Sequence, residues 1–238
     1  MTGVGRIAVR SFLLLLALCT LACENRTRVE VPVGEESFPA IYWRPARSLS
    51  AAVLLVASGV NSDATWLEFG DRLQRSGYAV LSVEPEGAQG ADGELEARVS
   101  AAYLFLRDLG RIDAARLAAV GVGAAAPATL AFSAREPSIR ALALLSPVAS
   151  AEPKEFEDAI ATYGWRPVLL AAGRAPAQRE QIQRLSERAH GITVVELDGS
   201  DREGAALLGA GSALERALLD FFRTHLAPPV LDTAGGGR

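Results

Sequence analysis

The chain has 238 residues, half of them hydrophobic, and a formal net charge of −4. This length and composition suit one compact domain with a single sizeable core, and they exclude a mainly disordered or fibrous chain. The acidic balance argues against nucleic acid and against anionic lipid as partners.

The first 22 residues have the pattern of a secretory signal peptide. Arg6 and Arg10 form a positive region, an apolar run follows over 12–18, and small residues precede Cys23. The apolar run is shorter than the roughly 20 residues that a membrane-spanning helix needs. We therefore expect export, and removal of the two arginines with this segment takes the formal charge from −4 to −6.

Cys19 and Cys23 are the only cysteines, so the exported chain has no intramolecular disulfide. The run Cys19–Cys23 resembles a bacterial lipobox, in which the last cysteine becomes the lipid-modified first residue. Ala22 fits that pattern, whereas Thr20 and Leu21 depart from it. The prediction is a lipoprotein modified at Cys23 with a short linker over 23–27. The alternative is an ordinary signal peptide and a soluble periplasmic or secreted protein.

Strand-like apolar runs alternate with amphipathic segments over 28–226, which is typical of a parallel sheet covered by helices. In the first helix Leu67, Phe69 and Leu73 are expected to face inward, and Gly77 is expected to end it. Residues 227–238 are too poor in apolar side chains to dock and are predicted to be a disordered tail. The predicted strands are 28–33, 38–43, 51–57, 78–83, 117–120, 141–145, 168–172 and 192–197, and the predicted helices are 65–76, 94–109, 124–135, 153–162, 177–189 and 212–225.

Five segments over about 29–226 occur in an order and spacing that resemble one family. They are Ala51–Val60, Gly77–Pro85, Leu109–Leu117, Ala143–Pro147 and Arg166–Gly173. In the order and spacing of these segments, the chain resembles the dienelactone-hydrolase-like α/β-hydrolases. The resemblance implies an α/β-hydrolase fold, with a mostly parallel central sheet of about eight strands and helices on both faces.

In that family a Gly-x-Ser-x-Gly turn between strand and helix carries the nucleophile. Here the turn is Gly121-Val122-Gly123-Ala124-Ala125, and Gly123 stands at the apex. Glycine has no side chain with which to attack a substrate. It is also conformationally permissive, so we expect a turn without the strain that exposes a nucleophile.

The resemblance also locates the acid and the base, and neither residue type is present. The acid is expected just after Gly173, where Pro176 stands at its position and the first carboxylate is Glu180, one turn into the next helix. The histidine is expected in the loop 198–204, where Glu203 or Arg202 replaces it. His190 and His225 are not placed to act as a base. The prediction is loss of all three triad members.

A site without these side chains still has backbone amide donors. The resemblance implies that these donors are Gly59, Val60 and Ala124. They could hold a carboxylate or carbonyl oxygen. The function predicted is a non-catalytic binding or scaffolding module of the bacterial envelope, with an unknown small molecule or protein as partner. One alternative is a divergent esterase acting on a small ester or acyl substrate, with Ser58 as a weak nucleophile. A third interpretation is an envelope receptor for a small molecule or lipid.

Other chemistries find less support in the sequence. Asp198, Asp201 and Glu203 could suggest a carboxylate pair or a metal site, but no second acidic segment accompanies them, and no Cys/His cluster exists. The glycines of 121–126 resemble a dinucleotide-binding pattern, but the next strand does not end in an acid. Ser133 and Ser146 are weaker nucleophile candidates than Ser58. We therefore expect no cofactor, no metal and no nucleic-acid partner.

Overall fold

The computed structural model describes residues 26–57, 64–83, 92–148, 153–191 and 193–228. Within these residues one eight-stranded sheet has the order β1-β2-β4-β3-β5-β6-β7-β8. The α/β architecture predicted from the sequence is confirmed. The strands are β1 (Arg26–Val33), β2 (Glu36–Trp43), β3 (Ser50–Ala57), β4 (Ala79–Val83), β5 (Ile112–Val122), β6 (Ile139–Leu145), β7 (Val168–Ala172) and β8 (Thr193–Leu197).

Six α-helices lie within the same described ranges. Four of them, α2 to α5, pack on one face of the sheet, and α1 and α6 pack on the other. Each face has its own apolar layer, as expected when every strand contributes alternate side chains to two sides. The helices are α1 (Ala64–Arg75), α2 (Asp92–Asp108), α3 (Ala126–Arg135), α4 (Pro153–Tyr163), α5 (Pro176–Arg188) and α6 (Ala213–His225).

Strand direction determines where functional loops can meet. β1 and β2 pair antiparallel, and β2 is antiparallel to β4, whereas β3 to β8 run parallel to one another. The parallel strands therefore all end at one edge, here called the carboxyl edge, and all begin at the opposite amino edge. Ligands of open α/β sheets bind at the carboxyl edge.

Helices α1 and α6 show why the amphipathic segments fold as they do. In α1, Trp66, Phe69 and Leu73 are fully buried at helical spacing. Leu67 was expected to face inward with them but is only partly buried, because it lies one position round the helix from Trp66. Helix α6 begins after Ser212, whose side-chain oxygen accepts a hydrogen bond from the amide of Glu215 at 3.1 Å.

Most predicted elements are found, with small shifts of their ends. β5 is much longer than the predicted 117–120, because Ile112 already pairs with Ser50 of β3 before a register shift. β1 starts at Arg26, inside the predicted linker. The predicted signal peptide, Cys23 and positions 229–238 of the tail lie outside the described residues. No helix among the described ranges is long and apolar enough to cross a membrane.

Candidate functional site

The turn between β5 and α3 is built by glycine and alanine. A Cβ on Gly121 would lie 2.8 Å from the Cβ of Thr129 and 2.9 Å from the Cα of Ala126. Only glycine therefore lets helix α3 approach the end of β5 this closely. The chain then passes through a short 3₁₀ turn, Gly123–Ala125, directly into the helix.

Gly123 is the apex of this turn and keeps a left-handed conformation, with φ +59°. As the sequence predicts, glycine avoids backbone strain at this position. The backbone nevertheless keeps a positive φ and does not adopt the negative φ of ordinary residues. The amide of Val148 donates to the Gly123 carbonyl at 3.2 Å, which helps to hold the turn. No described atom lies within 4 Å of the position that a Cβ would occupy. The apex thus presents an open position without a side chain.

The N-terminus of α3 offers backbone donors beside this apex. Its N-cap, Ala125, makes no side-chain capping hydrogen bond, and Ala124 is exposed. The Ala126 amide already donates to the Gly123 carbonyl, so the donors that this turn can offer to an anionic or carbonyl oxygen are the amides before it. Ala124, which the sequence predicts to be a backbone donor, lies exposed at this turn. Gly59, Val60 and Ser58 lie outside the described residues.

Ser146 lies at the neighbouring strand end and holds two loops near the apex. It has φ +46°, is buried, and its amide donates to the Ala171 carbonyl at 2.7 Å. Its side-chain oxygen accepts a hydrogen bond from the amide of Gly204 at 2.8 Å. A left-handed serine is uncommon and is found where surrounding contacts enforce it. The sequence singled out Ser146 only as a weak nucleophile; its role in the structure is to join β6 to the loop after β8.

The loop after β7 contains no carboxylate at the position expected for the acid. Pro176 is the first residue of α5 and is exposed, and Glu180 pairs with Arg184 at 3.0 Å on the helix surface. The amide of Arg174 donates to the Ser200 carbonyl at 2.8 Å. Arg179 donates to the carbonyls of Gly173 and Asp198, each at 2.9 Å. Arginine donors thus connect the two loops here.

The loop after β8 is organised by Asp198. Its carboxylate accepts from the amide of Ser200 at 2.6 Å and from Arg202 at 3.3 Å. Hydrogen bonds from Ser200 hold the pKa of Asp198 below its ordinary value, so the carboxylate is charged and structural. Glu203 is exposed immediately before the 3₁₀ segment Gly204–Leu208. Asp201 is exposed and lies 3.7 Å from Arg174.

Both histidines lie at the amino edge. His190 precedes β8 and packs near Trp165, with ring centroids 5.9 Å apart, whereas His225 ends α6 and packs on Phe221 at 4.8 Å. The parallel part of β5, Leu117–Val122, separates this edge from Gly123 by about 20 Å. Neither imidazole is near the apex.

The remaining serine and metal alternatives gain no support from the described geometry. The Ser133 hydroxyl is buried inside α3 and donates to the Thr129 carbonyl at 2.7 Å, as helical serines commonly do. Over the described part of the chain, no three histidine, cysteine, aspartate or glutamate residues are grouped to hold a metal ion. The arrangement can therefore offer backbone donors, an exposed Glu203 and a charged Asp198.

The contacts that position these loops could not be predicted from the sequence. Family resemblance points to Gly123, Pro176 and Glu203, and in the structure Gly123 and Glu203 lie at ends of loops that Ser146 and Gly204 join. No sequence signal identifies Arg179 as a bridge between two loops. A basic residue early in a helix is a weak hint, because such positions ordinarily favour acids.

Comparison with known proteins supports the same architecture. No protein-family model and no curated protein sequence matches the chain. Solved structures do match it, among them a dienelactone hydrolase from Anabaena variabilis, with 17% identity, a TM-score of 0.68, and coverage of 86% of this chain and 100% of that one.

Two further structures have similar scores. The esterase domain of a Rhodothermus marinus protein is 17% identical, with a TM-score of 0.69 and coverage of 85% of this chain and 100% of that one. A thermophilic carboxylesterase from a metagenomic library is 17% identical, with a TM-score of 0.62 and coverage of 92% and 96%. Sheet order, helix placement and these likenesses together show that the chain has the α/β-hydrolase fold.

Proposed function

We propose that this protein is an exported, lipid-anchored α/β-hydrolase-fold protein that binds or scaffolds a partner without hydrolysing it. The observation that carries the proposal is Gly123. It occupies the apex of the strand–helix turn with φ +59°, the place and the backbone conformation of a nucleophile, and it has no side chain. Loss of the nucleophile in a serine hydrolase typically removes about six orders of magnitude of turnover.

The other two positions support the same conclusion. A serine nucleophile needs a histidine to accept its proton and a carboxylate to orient that histidine. Pro176 has no carboxylate, Glu203 has no imidazole, and both histidines lie at the opposite edge of the sheet. Among the described residues, no histidine lies near the apex to accept a proton from a hydroxyl there.

A ligand can bind at the apex because the apex is open and no side chain caps the start of α3. The uncapped start of α3 beside the exposed Ala124 suits a carbonyl or carboxylate oxygen of a ligand. Gly59 and Val60 would supply the facing donors if the resemblance to active relatives extends to them. An unknown small molecule or a protein segment ending in such a group is the occupant that this chemistry favours.

The direct test of this proposal is reactivity of the exported chain from residue 23 onward. We expect no labelling by a fluorophosphonate probe and no saturable turnover of short-chain p-nitrophenyl esters. An active esterase assayed in parallel shows that the probe and the esters are competent. Saturable turnover that disappears on replacement of one residue at the carboxyl edge would contradict the proposal.

The divergent-esterase alternative rests on Ser58, which precedes Gly59. Ser146 is a poorer nucleophile, because it is buried and its hydroxyl oxygen already accepts the Gly204 amide. Ser58→Ala and Ser146→Ala separate the two serines if any turnover is found. An activity that survives both substitutions excludes this version of the alternative.

The receptor alternative and the anchor have separate tests. Native mass spectrometry of protein purified from membranes would detect a co-purifying small molecule or lipid and so favour a receptor over a scaffold. Cys23→Ser should abolish incorporation of radiolabelled palmitate into the full chain. Continued incorporation in that variant would show that Cys23 is not the lipidated residue.

A further inference from the structure

The amino edge of the sheet carries a groove of about 870 Å³ lined by arginines. Arg47, Arg75, Arg116 and Arg223 line it, and among the described residues that form its walls there is no aspartate or glutamate. The chain as a whole has a net charge of −4, so this groove runs against the average charge of the protein. The net charge of the whole chain therefore does not reveal this local basic surface.

Much of this positive charge is available to a partner. The Arg116 guanidinium is already paired within the protein, because it contacts Asp113 at 2.7 Å and also donates to the Leu49 carbonyl. Arg223 forms only an exposed pair with Asp220 at 2.9 Å, and the guanidinium of Arg47 has no partner among the described residues. Arginines in last helical turns also complement helix dipoles. That reason does not apply to Arg47, which lies in the loop between β2 and β3.

Exposed apolar side chains accompany the arginines at the same edge. Trp165 is 83% exposed just before β7, and Leu49 is 67% exposed at the rim of the groove. These are the two largest exposures of a large hydrophobic residue within the described ranges. The strand order β3-β5-β6-β7 separates them by about 14 Å across the sheet edge. Arginine with tryptophan and leucine is the combination found where proteins contact a membrane interface.

The start of the described chain lies at this edge as well. Arg26 pairs with Trp43, and Trp43 pairs with Val80 near the beginning of β4, so β1 begins at the amino edge. Cys23 precedes Arg26 by three residues, which can span at most about 11 Å even when fully extended. An acyl chain on Cys23 would therefore bring the bilayer close to the amino edge.

We propose that the amino edge, through Arg47, Arg75, Arg223 and Leu49, docks on the anionic phospholipid headgroups of the membrane that holds the anchor. This orientation rests on the lipid anchoring suggested under the proposed function. It places Gly123 at the far edge of the sheet, so the candidate site opens away from the bilayer. It also replaces the expectation, drawn from net charge alone, that anionic lipid is not a partner.

The test uses the chain from residue 23 onward with Cys23→Ser, which carries no lipid but contains all eight described strands and both apolar layers. Sedimentation with vesicles compares phosphatidylcholine alone with an equimolar mixture of phosphatidylcholine and phosphatidylglycerol. We expect binding to the mixed vesicles, weak binding to the neutral ones, and loss of binding at high salt.

Two variants and a matched control locate the surface. Arg47→Gln, Arg75→Gln and Arg223→Gln together should weaken binding to the mixed vesicles about a hundredfold, at about 1 kcal/mol for each arginine. Leu49→Asn should weaken it about tenfold, and asparagine tolerates the φ of +56° at this position. The control removes the same charge at the carboxyl edge, with Lys154→Gln, Arg174→Gln and Arg202→Gln.

Each other outcome overturns the proposal. Equal loss in the control would mean that binding reflects net charge and no particular face. Displacement by inorganic phosphate at matched ionic strength would indicate a small-anion pocket instead of a membrane surface. Absence of vesicle binding would reject the membrane face while leaving the palmitate result, and hence the anchor, unaffected. Circular dichroism and thermal unfolding of each variant confirm that the comparison is between folded proteins.

Discussion

The side-chain oxygen of Ser146 lies 2.8 Å from the amide nitrogen of Gly204, and this contact ties the end of β6 to the loop after β8. The same loop after β6 reaches the strand–helix turn, where the Val148 amide donates to the Gly123 carbonyl at 3.2 Å. Three loops that are distant in sequence are thereby held together at the carboxyl edge. The loops around Gly123 are therefore held in a fixed arrangement at this edge.

Ser146→Ala should lower the free energy of unfolding by about 1–2 kcal/mol, because the part-buried Gly204 amide loses its acceptor. Ser146→Gly should cost less, since glycine adopts the φ of +46° without strain and recovers part of the loss. Urea unfolding measures both. If the alanine variant were as stable as the parent chain, the hydrogen bond would contribute nothing to stability.

Gly121 and Gly123 are two residues apart and should respond differently to alanine. Gly123→Ala should cost about 1–2 kcal/mol from its left-handed backbone alone, because nothing described lies within 4 Å of the new Cβ. Gly121→Ala should cost about 3 kcal/mol, because the new Cβ would press on Ala126 and Thr129 of α3. Thermal and urea unfolding of the two variants provide the comparison, and the reverse ranking would contradict this account of the turn.

Rebuilding the triad tests whether the three positions inferred from family resemblance are the right ones. Gly123→Ser alone should remain unlabelled by a fluorophosphonate probe, since no histidine lies near position 123 in the described part of the chain. The triple variant Gly123→Ser, Pro176→Asp and Glu203→His should gain slow labelling that depends on the new serine. Labelling by the single variant would instead reveal a base that the described residues do not show.

Arg166 closes the C-terminal end of α3 from outside the helix. Its guanidinium donates to the carbonyls of Ser133, Glu136 and Ile139, among others, and stacks 3.9 Å from the ring centroid of Tyr163. Burial lowers the pKa of Arg166, yet a guanidinium stays charged at any physiological pH.

Replacing Arg166 should therefore be costly even with lysine. Arg166→Ala should lower the free energy of unfolding by about 3 kcal/mol, and Arg166→Lys should recover less than half, because one ammonium cannot reach the same carbonyls in a planar fork. The matched control is Arg188→Lys, at an exposed last-turn position of α5. Full recovery by lysine would show that charge alone matters at position 166.

His225 should make stability depend on pH near neutrality. Burial lowers its pKa from the ordinary 6.5, so the unfolded chain binds a proton more readily than the folded one. The folded state is then favoured fully above pH 6.5, and this contribution is lost as pH falls below that value towards the folded-state pKa.

The measurement is urea unfolding across that pH range. His225→Gln should flatten the decline in stability between about pH 7 and 5, a window set by the ordinary histidine pKa. His190→Gln is the matched variant, because it removes the other imidazole of the chain. An unchanged decline in the His225 variant would assign the pH dependence to other groups.

Much of the fold was predictable from the sequence because it depends on local periodicity. The runs at 51–57 and 168–172 are apolar throughout and become fully buried parallel strands at those positions. Gly77, expected to end the first helix, does so with φ +96°. The residues at the three positions that family resemblance assigns to the triad, Gly123, Pro176 and Glu203, are likewise read directly from the sequence.

The tertiary structure alone decided which distant groups meet. Packing, and not a local sequence pattern, brings Ser146 to Gly204 and lets Arg179 connect two loops. The left-handed conformation of Gly123 is likewise seen only in the structure. The sum of charges likewise concealed a basic amino edge, because net charge carries no information about position. The residue types at the predicted site follow from the sequence by itself, whereas long-range contacts, set by strand order, decide which loops meet there.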